Sequence, residues 1–453
     1  MRLSSATVDR LPAEVERFAY DRAAQAVGIV HLGIGAFHRA HQAWYTDRAM
    51  DQGDRDWAII GVSLRSAGVA RQLNPQDGLY TVAEQSAERT RLRLVGAVRE
   101  VVVLADAGER VSEILAAPTT RIVSFTITEK GYARRADGAL DRDLAAAEGS
   151  VYRLLGDGLR RRREAGGAGL TLLSCDNLAD NGRQLERLLL EHLDAADPDL
   201  ARWVERECAF PSTMIDRIVP ATTADDLAGI ERELGLRDEG AVVTEPFSQW
   251  VIEDRFAGPR PSWEAVGAQL VADVAPYELA KLRMLNGAHS ALAYLGLERG
   301  HAYVHEAIAD PALRPTIERL MREEAAPSFT PAPGQDLAAY AEALLARFAN
   351  PALQHRLAQI AMDGSQKIPN RWLPTLAFHR ERHARCPAIL AALGAWLRHV
   401  REPADDPQAE ALRAAWSGTD LAGTARALFA PGGTMGGGWS PDAGDIALMA
   451  PPG

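Results

Sequence analysis

Apolar residues in the first half of the chain come in short runs bounded by glycine or polar turns. Gly28-Ile-Val-His-Leu-Gly-Ile-Gly35, Trp57-Ala-Ile-Ile-Gly-Val-Ser-Leu64, Arg121-Ile-Val-Ser-Phe-Thr-Ile-Thr128 and Leu170-Thr-Leu-Leu-Ser-Cys175 are rich in β-branched and aliphatic residues. That is the pattern of strands buried on both faces. Helical periodicity lies between them, around residues 40–50, 107–117, 145–165 and 183–195. Strand–helix alternation of this kind predicts a mostly parallel α/β sheet. Leu79-Tyr-Thr-Val-Ala and Leu92-Arg-Leu-Val read as shorter strands appended to it.

From about residue 275 the strand signals fade and helices dominate, broken by prolines at 311, 315, 327, 331 and 333. The expected fold class is therefore α/β. An α/β domain spans 1–274, a mostly α-helical domain 275–430, and a flexible Gly/Pro-rich tail 431–453. Within the helical half, Lys281-Leu-Arg-Met-Leu-Asn286-Gly-Ala-His289 interrupts a long apolar stretch. At about 100° per residue, Glu278, Lys281, Asn286 and His289 share an arc of roughly 140°. Such a stripe is either a solvated face with a Glu278–Lys281 pair or a polar network awaiting a substrate.

Composition narrows the classes. The 453 residues suit two large domains, and 47% hydrophobic with 25% charged residues is ordinary for a soluble globular protein. A net charge of −11 argues against nucleic acid or an anionic membrane as main partner. Three scattered cysteines make neither a disulfide framework nor a zinc site. The N-terminus lacks an apolar signal core, and no apolar run reaches membrane-spanning length, so a reducing cytoplasm is expected.

Gly33-Ile-Gly35-Ala36-Phe37-His38-Arg39 follows a strand and opens a helix. There, paired glycines permit a tight turn and close approach to a pyrophosphate. The third fingerprint glycine is replaced by His38, so an ordinary glycine turn stays the alternative. The second strand ends Ser63-Leu-Arg65-Ser66 without a carboxylate for the ribose. Arg65 either faces a 2′-phosphate or is solvated, which leaves NAD against NADP open. His31, His38 and His41 cluster at the turn without carboxylate or thiol at ligand spacing, so no metal is expected. Asn177 follows a strand end and either aims its amide at a bound carbonyl or caps a turn. Asp216-Arg217 reads as a structural ion pair or a site element. Asp363-Gly-Ser-Gln-Lys367-Ile-Pro-Asn-Arg371 reads as a polar, turn-forming insertion whose cations suit a hydroxylated or anionic ligand, or else as a solvated loop.

Taken together, "GIVHLGIGAFHRAHQAWYTD", "DGLYTVAE", "IVSFTITEKGY", "LLSCDNLADNG", "FPSTMIDRIVPAT", "EPFSQWVIED", "YELAKLRMLNGAHSALAYLG" and "IAMDGSQKIPNR" resemble the long-chain mannitol dehydrogenase family of polyol and sugar-acid oxidoreductases. These blocks run in order over residues 28–372. The resemblance implies a Rossmann-like dinucleotide-binding domain over 1–274 and a helical substrate domain over 275–430, with metal-independent hydride transfer using NAD, NADP not excluded, and Lys281 as general acid/base. Asn177 and Asn286 match the amides that hold the reacting oxygen, and His289 the substrate-positioning histidine. Glu278, Asp216 and Lys367 match further substrate positions, and Gly33 and Gly35 the nucleotide turn. A lysine does this work near neutral pH when burial or neighbouring cations lower its pKa.

The wording of "FPSTMIDRIVPA", "GAQLVADVAPYELAKLRMLNGAHS" and "IAMDGSQKIP" resembles the fructuronate reductase branch. Gln359 and Ala67-Gly68 stand where mannitol dehydrogenases often carry an arginine and an acidic pair. The expected reaction is D-fructuronate to D-mannonate, with a mannitol or arabinitol dehydrogenase as rival, in a monomer or weak dimer. A Schiff-base aldolase using Lys281 and a non-catalytic nucleotide sensor are the remoter alternatives.

Overall fold

A computed structural model describes residues 1–453 except Ala136, Gly437, Pro452 and Gly453. The chain forms two compact units, Met1–Val274 and Ala275–Gly453.

In the first unit the strands, in chain order, are β1 (Val27–Leu32), β2 (Ala58–Ser63), β3 (Tyr80–Gln85), β4 (Thr90–Val95), β5 (Val98–Val103), β6 (Ile122–Phe125), β7 (Thr171–Ser174), β8 (Thr213–Asp216), β9 (Val242–Thr244), β10 (Gln249–Glu253) and β11 (Gln269–Val271). The main sheet has the order β5-β2-β1-β6-β7, and every pairing in it is parallel. Alternate side chains feed two cores, as the two-residue period of a strand requires. Val30, Leu32, Val123, Phe125 and Leu172 pack under helices Leu104–Ala116, Val151–Glu164 and Asn181–Ala196. Ile29, Ile122 and Leu173 pack on the other face with Trp57, Trp250 and Trp263. The chain leaves β1 toward β2 and later crosses to β6 on the other side. The carboxyl ends of β1 and β6 therefore flank the topological switch point, where such sheets take ligands.

Two strand expectations need correction. β3 and β4 do not extend the parallel sheet. They form an antiparallel hairpin that joins β9 in a separate three-stranded sheet. Only Gly96-Ala97 separates β4 from β5, whereas a parallel crossover takes about a dozen residues. β5 itself, unmarked in the sequence because Arg99-Glu100 interrupts its apolar run, is the edge of the main sheet.

Among the described residues, the second unit is helical apart from an isolated bridge between Tyr303 and Arg356. Its centre is the helix Gly287–Glu298, apolar almost all round and buried from Gly287 through Tyr294, packed with helix Pro387–His399. Residues 363–371, expected as a turn-forming insertion, are instead a helix, Gly364–Arg371, that tolerates Pro369 inside it. The expected tail is also corrected. Met435 and Trp439 are buried and Ala443–Met449 is a helix. A Cβ at Gly394 would collide with the Met449 carbonyl, so glycine there lets the terminal helix dock. Arg380 and Arg385 pair with Asp442 and Asp445, and the same two aspartates form the helix's capping box. A short helix with few apolar residues inside a Gly/Pro-rich stretch carries little periodic signal. Among the described residues no helix is long and apolar enough to cross a membrane.

Candidate active site

In the first unit the site begins at the turn after β1. Gly33 adopts φ +95°, and a Cβ there would collide with the Thr126 carbonyl, so the turn requires glycine. At Gly35 a Cβ would meet nothing nearer than the Gly33 carbonyl at 3.8 Å. The turn thus has the strained first glycine and the open second one of a dinucleotide site. Ala36 and Phe37 begin the short helix Ala36–Ala40, which breaks at His41 and resumes as Gln42–Asp51.

Hydrogen bonding sets the imidazole protons at this turn. Thr126 Oγ1 donates to the Gly33 carbonyl at 2.9 Å, so His31 Nε2 must donate to Thr126 Oγ1 at 2.8 Å. His31 Nδ1 then accepts from Ser124 Oγ at 2.8 Å. Burial drives the His31 pKa down to about 3, which keeps the ring neutral. His38, at the position of the missing third glycine, stacks on His31 with ring centroids 3.4 Å apart. Both its ring nitrogens are buried without a hydrogen bond of ordinary geometry, and burial holds its pKa well below the usual value. His41 Nε2 donates to the Gln249 carbonyl at 3.0 Å. Among the described residues, no group of three or more His, Cys, Asp or Glu is placed to hold a metal ion. Arg65 is exposed just beyond β2, in a loop closed by Ser63 Oγ donating to the Ser66 carbonyl at 2.6 Å.

Asn177 is exposed beyond the carboxyl end of β7, as the strand-end argument expects. What holds that end in place is its neighbour. Asp176 is 7% exposed and accepts from the Thr128 N–H at 2.7 Å, the Ile127 N–H at 3.1 Å and the Tyr132 hydroxyl at 2.9 Å. Burial raises its carboxyl pKa, and those donors oppose the rise. Asn181 ties β7 to β8. Its Nδ2 donates to the Asp176 and Thr213 carbonyls, each at 2.9 Å, and its Oδ1 accepts from the Thr213 N–H at 2.9 Å. Neither residue stands out in sequence, because a buried acceptor and a solvated loop residue look alike there. Asp216 ends β8 and is buried. The ion pair expected of Asp216-Arg217 goes elsewhere: Arg217 pairs with Glu84 and donates to the Ala40 and Glu245 carbonyls.

In the second unit, Lys281–Asn286 is not α-helical but a π-helical stretch between helices Ala275–Ala280 and Gly287–Glu298. The Gly287 N–H reaches back to the Leu282 carbonyl, an i→i+5 bond. In an α-helix, residues five apart are rotated by about 140°. The wider turn instead sets Lys281 and Asn286 one above the other, so the arc of the polar stripe is tighter than the α-helical estimate. Such bulges concentrate at functional sites. A bulge leaves carbonyls out of register, and helix Gly364–Arg371 supplies a donor. Arg371 donates to the Asn286 carbonyl at 3.1 Å and to Ser290 Oγ at 2.8 Å. Trp372 Nε1 donates to the Gly287 carbonyl at 3.2 Å. Glu278, Lys281 and Asn286 are half-buried.

Two cations crowd this helix. Burial lowers the Arg371 pKa to about 10, and among the described residues the guanidinium has no acidic partner. Lys367 Nζ donates to the Met362 carbonyl at 2.6 Å, and burial followed by Arg371 lowers its pKa. His289 is 9% exposed and kept neutral by burial first, then by His355, Arg347 and Arg371. The second unit therefore gathers Lys281, Asn286, His289, Lys367 and Arg371 around one distorted helical turn.

The chain matches the Mannitol dehydrogenase Rossmann domain over residues 27–265 and the Mannitol dehydrogenase C-terminal domain over residues 273–419. It is 44% identical to the D-mannonate oxidoreductase of Escherichia coli over 401 residues, 85% of this chain and 82% of that protein. It is 38% identical to the mannitol 2-dehydrogenase of Phaeosphaeria nodorum over 419 residues, 87% of this chain and 74% of that one. Among solved structures, the Pseudomonas fluorescens mannitol 2-dehydrogenase ternary complex with NAD and D-mannitol superposes with a TM-score of 0.86 at 34% identity. The match covers 99% of this chain and 95% of that one.

Proposed function

The chain belongs to the mannitol dehydrogenase family of oxidoreductases acting on CH–OH groups, and on that premise we propose that it is an NAD(H)-dependent, metal-independent reductase of D-fructuronate, forming D-mannonate in the cytoplasm. The observation that carries the acidic substrate is the half-buried Arg371 guanidinium. It lacks an acidic partner among the described residues and stands beside the half-buried Lys367. A cation partly withdrawn from water calls for a counter-charge, and a hexuronate brings one. The 44% identity to a D-mannonate oxidoreductase supports the same reading.

Gly33, Gly35, Ala36, Phe37, His38 and Arg65 are the residues that would hold the dinucleotide. The strained turn at Gly33 and the open approach at Gly35 fit that group. When bound, the cofactor supplies the hydride to the keto carbon. Lys281 gives a proton to the oxygen as it becomes an alcohol, and takes it back in the oxidative direction. Asn177 and Asn286 donate hydrogen bonds to the same oxygen, where charge develops. His289, Glu278 and Asp216 position the substrate. A second reading, fructose/mannitol interconversion, is favoured by the likeness to a solved mannitol 2-dehydrogenase.

A spectrophotometric panel decides between them. NADH and NADPH oxidation are followed with fructuronate, tagaturonate, fructose and ribulose, alongside a Lys281→Ala variant. Fructuronate with NADH should give the highest kcat/KM, and Lys281→Ala should lower it by about 10²–10⁴-fold. Preference for fructose sinks the uronate assignment, and near-normal turnover by Lys281→Ala sinks the lysine mechanism.

A further inference from the structure

His289 has an imidazole neighbour that the proposed mechanism does not use. His355 lies in the connection between helices Leu337–Phe348 and Leu357–Ala361. Its ring stands edge-on to His289, with centroids 5.4 Å apart and planes at 81°, while Phe348 packs on His289 at 4.7 Å. His289 Nε2 and His355 Nδ1 are both buried with no hydrogen-bond partner. A buried polar atom left unpaired costs free energy, so two on adjacent rings ask for an occupant. The connection holds its shape without one. Val304 N–H donates to the His355 carbonyl at 3.0 Å, and Leu357 N–H to the Ala302 carbonyl at 2.9 Å.

The charges around the pair say what kind of occupant. The groups acting on His289 are His355, Arg347 and Arg371, with no carboxylate among them. Of these, Arg371 has no acidic partner among the described residues. A guanidinium without a carboxylate, beside unpaired imidazole nitrogens, suits a small planar anion.

Resting on the reading that the chain reduces an acidic ketose, we propose that His355 is a specificity-determining residue: together with His289, it binds the carboxylate of the sugar acid and so selects it over the neutral ketose.

The test compares wild type, His355→Leu and His355→Asn, measuring kcat and KM for D-fructuronate and D-fructose with NADH. In His355→Leu the ratio of kcat/KM for fructuronate to that for fructose should fall about tenfold or more. The loss should reside in KM for fructuronate. His355→Asn, which keeps a donor, should fall between Leu and wild type. Both substrates are measured on one sample, so any loss of folded protein cancels in the ratio. Inhibition constants of D-mannonate and D-mannitol give the same comparison where fructose turnover is slow. An unchanged ratio in His355→Leu overturns the role of His355 while leaving the substrate reading standing. A wild type that reduces fructose but not fructuronate overturns the substrate reading itself.

Discussion

Asn177 carries the proposed chemistry at the end of β7, yet the residue that places that strand end is Asp176. Its carboxylate gathers two backbone N–H groups and a phenol from the segment after β6, including Thr128, which sits at φ +64°. Replacing it by alanine leaves those buried donors unpaired, so Asp176→Ala should destabilise the protein by about 3 kcal/mol. kcat should fall as well, because the strand end bearing Asn177 loosens. Urea unfolding and steady-state kinetics on the same preparation check both. A variant with native stability and native kcat would show that Asp176 is dispensable. Lys281, Asn286 and His289 are legible as candidates in the sequence because polar residues in an apolar helix are conspicuous. Asp176, Asn181 and His355 were not, since each lies in a polar stretch where only the tertiary structure distinguishes a buried acceptor from a solvated one.

Among the described residues the helical elements carry two π-helical stretches, Lys281–Asn286 and Leu320–Ala325, and each concentrates unusual chemistry. The second bears Glu324, 2% exposed, whose carboxylate accepts from the Ala388 and Ile389 N–H groups at 2.8 and 2.9 Å. These are first-turn amides of helix Pro387–His399, whose dipole favours a negative charge. Burial nevertheless outweighs the amides and raises the pKa from 4.5 to about 7. The folded state therefore binds more protons than the unfolded chain between those values, and stability falls as pH rises through that window. Glu324→Gln, neutral throughout, should lack this slope. Urea titrations of both proteins at pH values below, within and above the window read the difference, and parallel curves would contradict it. Sequence periodicity cannot show a π-stretch, because one extra residue per turn shifts the polar arc without altering composition.

At the scale of the molecule, the segment from Met435 to Met449 contributes to the helical unit's core. Met435, Trp439 and Met449 are buried in it, and Arg380 and Arg385 are tied to Asp442 and Asp445. Removing residues 431–453 should uncover apolar area worth about 1.5–3 kcal/mol per buried side chain and lower Tm by at least about 5 °C. Calorimetry measures this, and an unchanged Tm would restore the flexible-tail reading. By itself the sequence determined the parallel α/β half, the helical half, the glycine turn and the ordered motifs that mark the family. Each of these is written in local periodicity or in residue types that few positions tolerate. Tertiary structure alone decided which sheet the hairpin joins, that the Gly364–Arg371 segment is a helix bracing the π-turn, that the terminal segment docks, and which imidazoles stand side by side. Those outcomes rest on contacts between residues far apart in the chain, and on crossover lengths and burial, for which the local pattern has no code.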